Sequence, residues 1–149
     1  MPRHGLRCWH LNILNNSERA GLKGKVTGLD LSEYFVTVAK QIQKERKSEF
    51  TGAIDLEFFH GDALDLKPCG FESGGLDLVM ISEVTHEMPK AVAEKLFREA
   101  ARVLAPGGVL GYLDLNPVQI LKDNLVGALV DRVATSNEPY FDQYLEPGA

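Results

Sequence analysis

The sequence predicts an α/β fold, an open and mostly parallel sheet with flanking helices. Three observations predict it: short apolar runs that alternate with longer stretches of helical periodicity, glycine and proline gathered at the junctions, and polar residues at the ends of three of the four runs. Strands spaced by helices of this length pair in parallel, because the crossover helix returns the chain to the same end of the sheet. The chain has 149 residues, 44% hydrophobic and 25% charged, enough for one ordinary core.

Val26-Thr27-Gly28-Leu29-Asp30 is the first strand, and Ser32 follows at an N-cap position. The helix it starts runs from Glu33 to about Lys47, with Tyr34, Phe35, Val38, Ala39 and Ile42 as its apolar stripe. Its basic end, Lys44 to Lys47, complements the helix dipole and needs no ligand. Ser48 to Ala53 reads as a loop, and Ile54 to His60 alternates as a second strand ending at Gly61-Asp62. After the breaker-rich stretch from Lys67 to Gly75, the run Leu76 to Ser82 is apolar enough for a strand covered on both faces.

Pro89 suits a first helical turn, and Val92, Leu96, Phe97, Ala100, Val103 and Leu104 recur at helical spacing until Pro106-Gly107-Gly108 stops the helix. Val109 to Leu115 is a fourth strand. Asn116 and Gln119 then bracket Pro117 at capping-box spacing, ahead of a last helix carrying Leu121, Leu125, Ala128, Leu129 and Val133.

Sixteen Lys and Arg against 21 Asp and Glu leave a formal charge of -5, which argues against nucleic acid or an anionic membrane surface as a partner. No apolar run approaches the roughly 20 residues of a membrane span. The N-terminus lacks the pattern of a secretory signal, so a soluble intracellular protein is expected. Cys8 and Cys69 stand far apart and outside any C-x-x-C arrangement, so neither a disulfide framework nor a structural zinc site is expected.

Ligands of open α/β sheets bind beyond the carboxyl ends of the strands, which makes Asp30, Asp62 and Ser82-Glu83 the candidate site residues. Each also has a structural explanation. Asp30 can serve as a turn or capping residue, Asp62 can form an Asx turn, and Glu83 can be an exposed loop acid. His86 beside Glu87 reads either as a general base or as a hydrogen-bonded loop residue. His4, His10 and His60 have no evident partner, and Gly107-Gly108 is turn chemistry rather than a phosphate loop.

Four segments, taken in order, resemble the class I S-adenosylmethionine-dependent methyltransferases, specifically the type 11 domains. They are Val26-Thr-Gly-Leu-Asp-Leu-Ser32, Phe59-His-Gly-Asp-Ala63, Leu76-Asp-Leu-Val-Met-Ile-Ser-Glu-Val-Thr-His-Glu-Met-Pro89 and Phe97-Arg-Glu-Ala-Ala-Arg-Val-Leu-Ala-Pro-Gly-Gly-Val-Leu110. The resemblance covers roughly Lys25 to Pro147 and implies a Rossmann-like sheet with S-adenosyl-L-methionine as cofactor and a small-molecule methyl acceptor. It further implies that Asp30 accepts from the ribose hydroxyls, Leu31 packs on the adenine, Asp62 accepts from its amino group and the Ala63 N–H faces a ring nitrogen. Ser82 and Glu83 would lie where cofactor and acceptor meet, with His86 or Glu83 as the proton acceptor and cytoplasm or plastid as the location.

The family's first strand and its Gly-rich turn should precede Val26, yet the interval from Leu6 to Gly24 holds no such turn. The sheet is therefore expected to be incomplete at its first strand and at the C-terminal strand pair. Residues 1–24 form a diverged N-terminal segment and residues 25–149 the methyltransferase-like core. Cys8 to Leu14 reads either as a substitute strand or as a short helix. Besides a methyltransferase impaired by loss of the Gly-rich cofactor loop, the sequence admits a non-catalytic interaction module whose exposed sheet is covered by a partner or a second copy. A dinucleotide-binding or nucleotide-sugar sheet fits the Asp62 and Ser82 to Pro89 segments less well.

Overall fold

The computed structural model describes residues 23–45, 54–116 and 140–145. The chain forms two compact units, residues 1–63 and 64–149. The first contains β1 (Gly24–Asp30), α1 (Glu33–Glu45) and β2 (Ile54–His60). β1 and β2 run parallel, with Gly24 opposite Ile54 and Asp30 opposite His60. An ion pair of 2.7 Å between Lys25 and Glu57 crosses the two strands on their solvent-exposed side, where water screens it.

A tight turn links β1 to α1. Asp30 Oδ1 accepts from the Ser32 N–H at 2.7 Å, and the Ser32 carbonyl accepts the Val36 N–H at 3.1 Å. The Ser32 hydroxyl lies 3.5 Å from the Phe35 nitrogen, a weak version of the expected cap. The buried face of α1 differs from the expected stripe. Val36 and Ala39 are buried, and the Gln43 side chain bonds the Leu56 carbonyl, whereas Tyr34 and Phe35 are 71% and 46% exposed. A helix that starts three residues after its strand has its first turn at the sheet's carboxyl edge, with no strand residue beneath it. The face that meets β1 and β2 is therefore the one running through residues 36, 39 and 43.

The second unit holds β3 (Leu76–Ser82), α2 (Lys90–Val103), β4 (Leu104–Leu113) and α3 (Phe141–Leu145), with short 3-10 turns at Lys67–Cys69 and Thr85–Glu87. Pro89 is the residue preceding α2, and its carbonyl accepts the Val92 and Ala93 N–H groups at 2.8 and 3.0 Å. β3 and β4 run parallel, with Leu78 opposite Val109 and Ser82 opposite Leu113. β4 begins five residues before the expected Val109. The backbone turns extended at Leu104 (φ −67°, ψ 133°), which pairs with Leu76 before the register slips and resumes at Val109.

Pro106-Gly107-Gly108 thus lies within this irregularity instead of ending the helix. Gly107 has φ +84°, and a Cβ on Gly108 would stand 2.9 Å from the Ala105 carbonyl and 3.1 Å from that of Leu76. Glycine permits the strand to bulge there while staying in contact with β3.

Arg102 and Glu99 secure the breaker-rich loop to α2. Arg102 Nε and Nη2 donate to the two Glu99 oxygens at 2.8 and 2.6 Å, and Nη2 also donates to the Phe71 carbonyl at 3.1 Å. The Leu66 N–H reaches Glu99 at 2.7 Å. The Arg102 guanidinium holds the Glu99 carboxyl down at about 2 against the opposing effect of burial, with help from the Leu66 N–H.

Among the described residues of the second unit, Ile81, Leu96, Ala100, Val103 and Phe141 are the buried apolar ones. The expectation that β3 is covered on both faces is not met. Leu78 (50%), Met80 (46%) and Val109 (59%) share one exposed face, because the described elements supply a helix only to the other, where Phe97 meets Tyr112 edge-on at 5.4 Å. Among the described residues the strands form two separate two-stranded sheets, β1-β2 and β3-β4. The segment Cys8 to Leu14 and the helix expected after Pro117 lie outside the described residues.

Candidate functional site

In the first unit, β1 and β2 end at the same edge because they are parallel, so Asp30 and Asp62 both follow strand ends there. Two contacts tie the tips together: the Gly61 N–H donates to the Asp30 carbonyl at 3.0 Å, and His60 Nε2 lies 2.9 Å from the Leu31 carbonyl. His60 therefore has the partner that the sequence did not suggest. Asp30 does cap the turn through Oδ1, but its Oδ2 makes no hydrogen bond among the described residues. The adjacent Leu31 side chain is 70% exposed. Asp62 is exposed and Ala63 half-buried, just beyond β2.

In the second unit, Ser82 closes β3 with its Oγ buried and without a hydrogen-bond partner among the described residues. Glu83 is exposed and adopts φ 52°, the left-handed region that non-glycine residues seldom enter, while its N–H donates to the Leu113 carbonyl at 2.8 Å. Thr85 and His86 are buried in the turn that follows, 5% and 7% exposed. Both lean on Asp114, the first residue after β4, whose side chain is wholly buried.

Asp114 Oδ1 lies 2.5 Å from His86 Nδ1 and accepts the Leu115 N–H at 2.8 Å. Its Oδ2 accepts the Thr85 N–H at 2.9 Å and the Thr85 hydroxyl at 2.6 Å. Tyr112 bonds the same hydroxyl at 2.7 Å, and the Tyr144 hydroxyl donates to the Leu115 carbonyl. Burial pushes the Asp114 carboxyl up, but its hydrogen bonds from Thr85, His86 and Leu115 outweigh that and leave it below its ordinary value. Burial likewise raises the Tyr144 phenol well above the usual range, reinforced by Tyr112 and the Asp114 charge.

The structure thus gives His86 a buried partner 28 residues away, which sequence reasoning missed. The signal was present: a carboxylate at a strand end had already marked Asp30 and Asp62. Reading the fourth strand as far as Leu115 placed Asp114 inside it. Among the described residues no group of three or more His, Cys, Asp or Glu is arranged to hold a metal, and no helix is long and apolar enough to cross a membrane.

A family profile described as a methyltransferase domain, type 11, matches residues 10–111, more than half of the chain. The chain belongs to the class I S-adenosylmethionine-dependent methyltransferases. A demethylmenaquinone methyltransferase of Lactococcus lactis is 37% identical to this methyltransferase-family chain over 92 residues, 62% of the chain and 32% of the relative. An arsenite methyltransferase of Mus musculus is 33% identical over 100 residues, 66% of the chain and 26% of the relative. The chain thus spans about a third of the length of the curated relatives it matches. The solved structure of the PH0226 protein from Pyrococcus horikoshii OT3 superposes with a TM-score of 0.57 at 27% identity, covering 72% of this chain and 45% of that one. The fold is accordingly a partial Rossmann-like α/β arrangement with parallel strands.

Proposed function

We propose that this methyltransferase domain binds S-adenosylmethionine at the carboxyl ends of its strands and transfers the methyl group to a small molecule. The observation that carries the reading is the Asp30 carboxylate: one oxygen holds the turn, the other makes no hydrogen bond among the described residues, and the next residue, Leu31, has an exposed side chain. A carboxylate oxygen has lone pairs for vicinal hydroxyls, so the residues present fit a ribose with an apolar surface next to it for the adenine. Asp62 and the Ala63 N–H would serve the adenine edge. In the second unit, the Ser82 hydroxyl, buried and without a partner among the described residues, fits a ligand polar group, and Glu83 follows it in a costly backbone conformation.

The bound cofactor supplies a methyl group on a cationic sulfur, so the protein has mainly to align the acceptor. His86 is the proton acceptor in this reading, and Glu83 is the exposed alternative. The matched relatives named for demethylmenaquinone and arsenite support an acceptor of small-molecule size.

Unfolding in urea tests the binding claim. S-adenosylmethionine at one hundred times its Kd should stabilise the full chain by about 2.7 kcal/mol. Asp30→Asn should lose most of that increment while folding normally. A wild-type midpoint that millimolar cofactor leaves unmoved contradicts the proposal.

A further inference from the structure

The hydrogen bonds around Asp114 leave little choice about where their protons lie. An ionised carboxylate only accepts, so every group at hydrogen-bond distance from this buried side chain must point a hydrogen at it. The Thr85 and Leu115 amides can do nothing else. The Thr85 hydroxyl has one hydrogen, committed to Asp114 Oδ2 at 2.6 Å, so the Tyr112 hydroxyl must donate to Thr85 across 2.7 Å. His86, 2.5 Å away on the other oxygen, must carry a hydrogen on Nδ1.

We propose that Asp114 is a positioning residue that fixes His86 as the Nδ1-protonated tautomer, leaving the basic lone pair on Nε2. This deepens the function proposed above and rests on it. The ring plane is held as well, since Phe141 and Tyr144 meet it edge-on with centroids at 6.4 and 6.1 Å. The use of a buried carboxylate to choose a histidine tautomer is the logic of the hydrolase triads, transferred here to a different reaction.

The test is long-range proton–nitrogen correlation NMR on the full chain labelled with 15N, in buffer alkaline enough for neutral imidazole, with the His86 signals identified by their loss in His86→Gln. The expected wild-type spectrum has a protonated Nδ1 and an unprotonated Nε2. Asp114→Asn, which replaces one accepting oxygen by an NH2 donor among four donors, should lose that signature. Thr85→Val, which keeps the carboxylate, should retain it. A wild-type ring protonated on Nε2 overturns the proposal without any variant, as does an Asp114→Asn spectrum identical to wild type. Should Asp114→Asn fail to fold, the wild-type and Thr85→Val spectra still decide. Titrating S-adenosylmethionine into the same wild-type sample separates the two claims: no binding alongside the expected tautomer sinks the proposed function and spares the role of Asp114, whereas binding alongside the opposite tautomer does the reverse.

Discussion

Glu83 holds φ at 52°, where an L side chain crowds its own backbone at a cost of about 1–2 kcal/mol. Its N–H is tied to Leu113 and its side chain is exposed, so no side-chain burial explains the conformation. Glu83→Gly should therefore leave stability unchanged or raise it by up to about 1 kcal/mol, and Glu83→Val should lower it by about 1 kcal/mol or more. Urea midpoints of the two variants check this, and equal destabilisation by both would show that the side chain matters instead. At this scale the sequence revealed identities better than pairings. Asp30 stood out because a carboxylate follows a strand, but the His86–Asp114 contact joins residues 28 positions apart and depends on where β4 stops. His60 found its Leu31 carbonyl for the same non-local reason.

The pinning of the loop before β3 belongs to the scale of elements. Glu99 takes two hydrogen bonds from Arg102 and one from Leu66, and its folded pKa of about 2 lies below the ordinary 4.5. A depressed carboxylate pKa adds stability that is complete above the unfolded value and disappears as pH falls through the folded one. The loss should therefore occur between about pH 4.5 and pH 2. Solvent screening keeps its size to about 1 kcal/mol. Urea titrations across that interval should show Glu99→Gln with a shallower loss than wild type, and parallel curves would mean that the pair contributes nothing. Element order and type were legible because periodicity is local: β1, β2, β3 and α2 stand where their patterns put them. The start of β4 was not, since proline and two glycines read as punctuation when they in fact permit a bulge against Leu76. Nor was the buried face of α1, which is set by the strands beneath the helix more than by the spacing of Tyr34 and Phe35.

For the molecule as a whole, the alternation of strands and helices conveyed the fold class, while the grouping of strands followed from pairings distant in sequence. The missing Gly-rich turn led to the expectation of an incomplete sheet, and among the described residues the strands form two pairs. The apolar composition of β3 suggested cover on both faces, yet Leu78, Met80 and Val109 remain exposed on one. Family membership rests on the match to a methyltransferase domain over residues 10–111, a signal that survives even though the chain spans about a third of its curated relatives. Cofactor binding is the claim on which the functional account turns. Isothermal titration of the full chain with S-adenosylmethionine tests it most directly: the account predicts a saturable one-to-one heat that Asp30→Ala abolishes without unfolding the protein, and a folded wild-type chain that gives no heat, or an Asp30→Ala isotherm matching wild type, would contradict it.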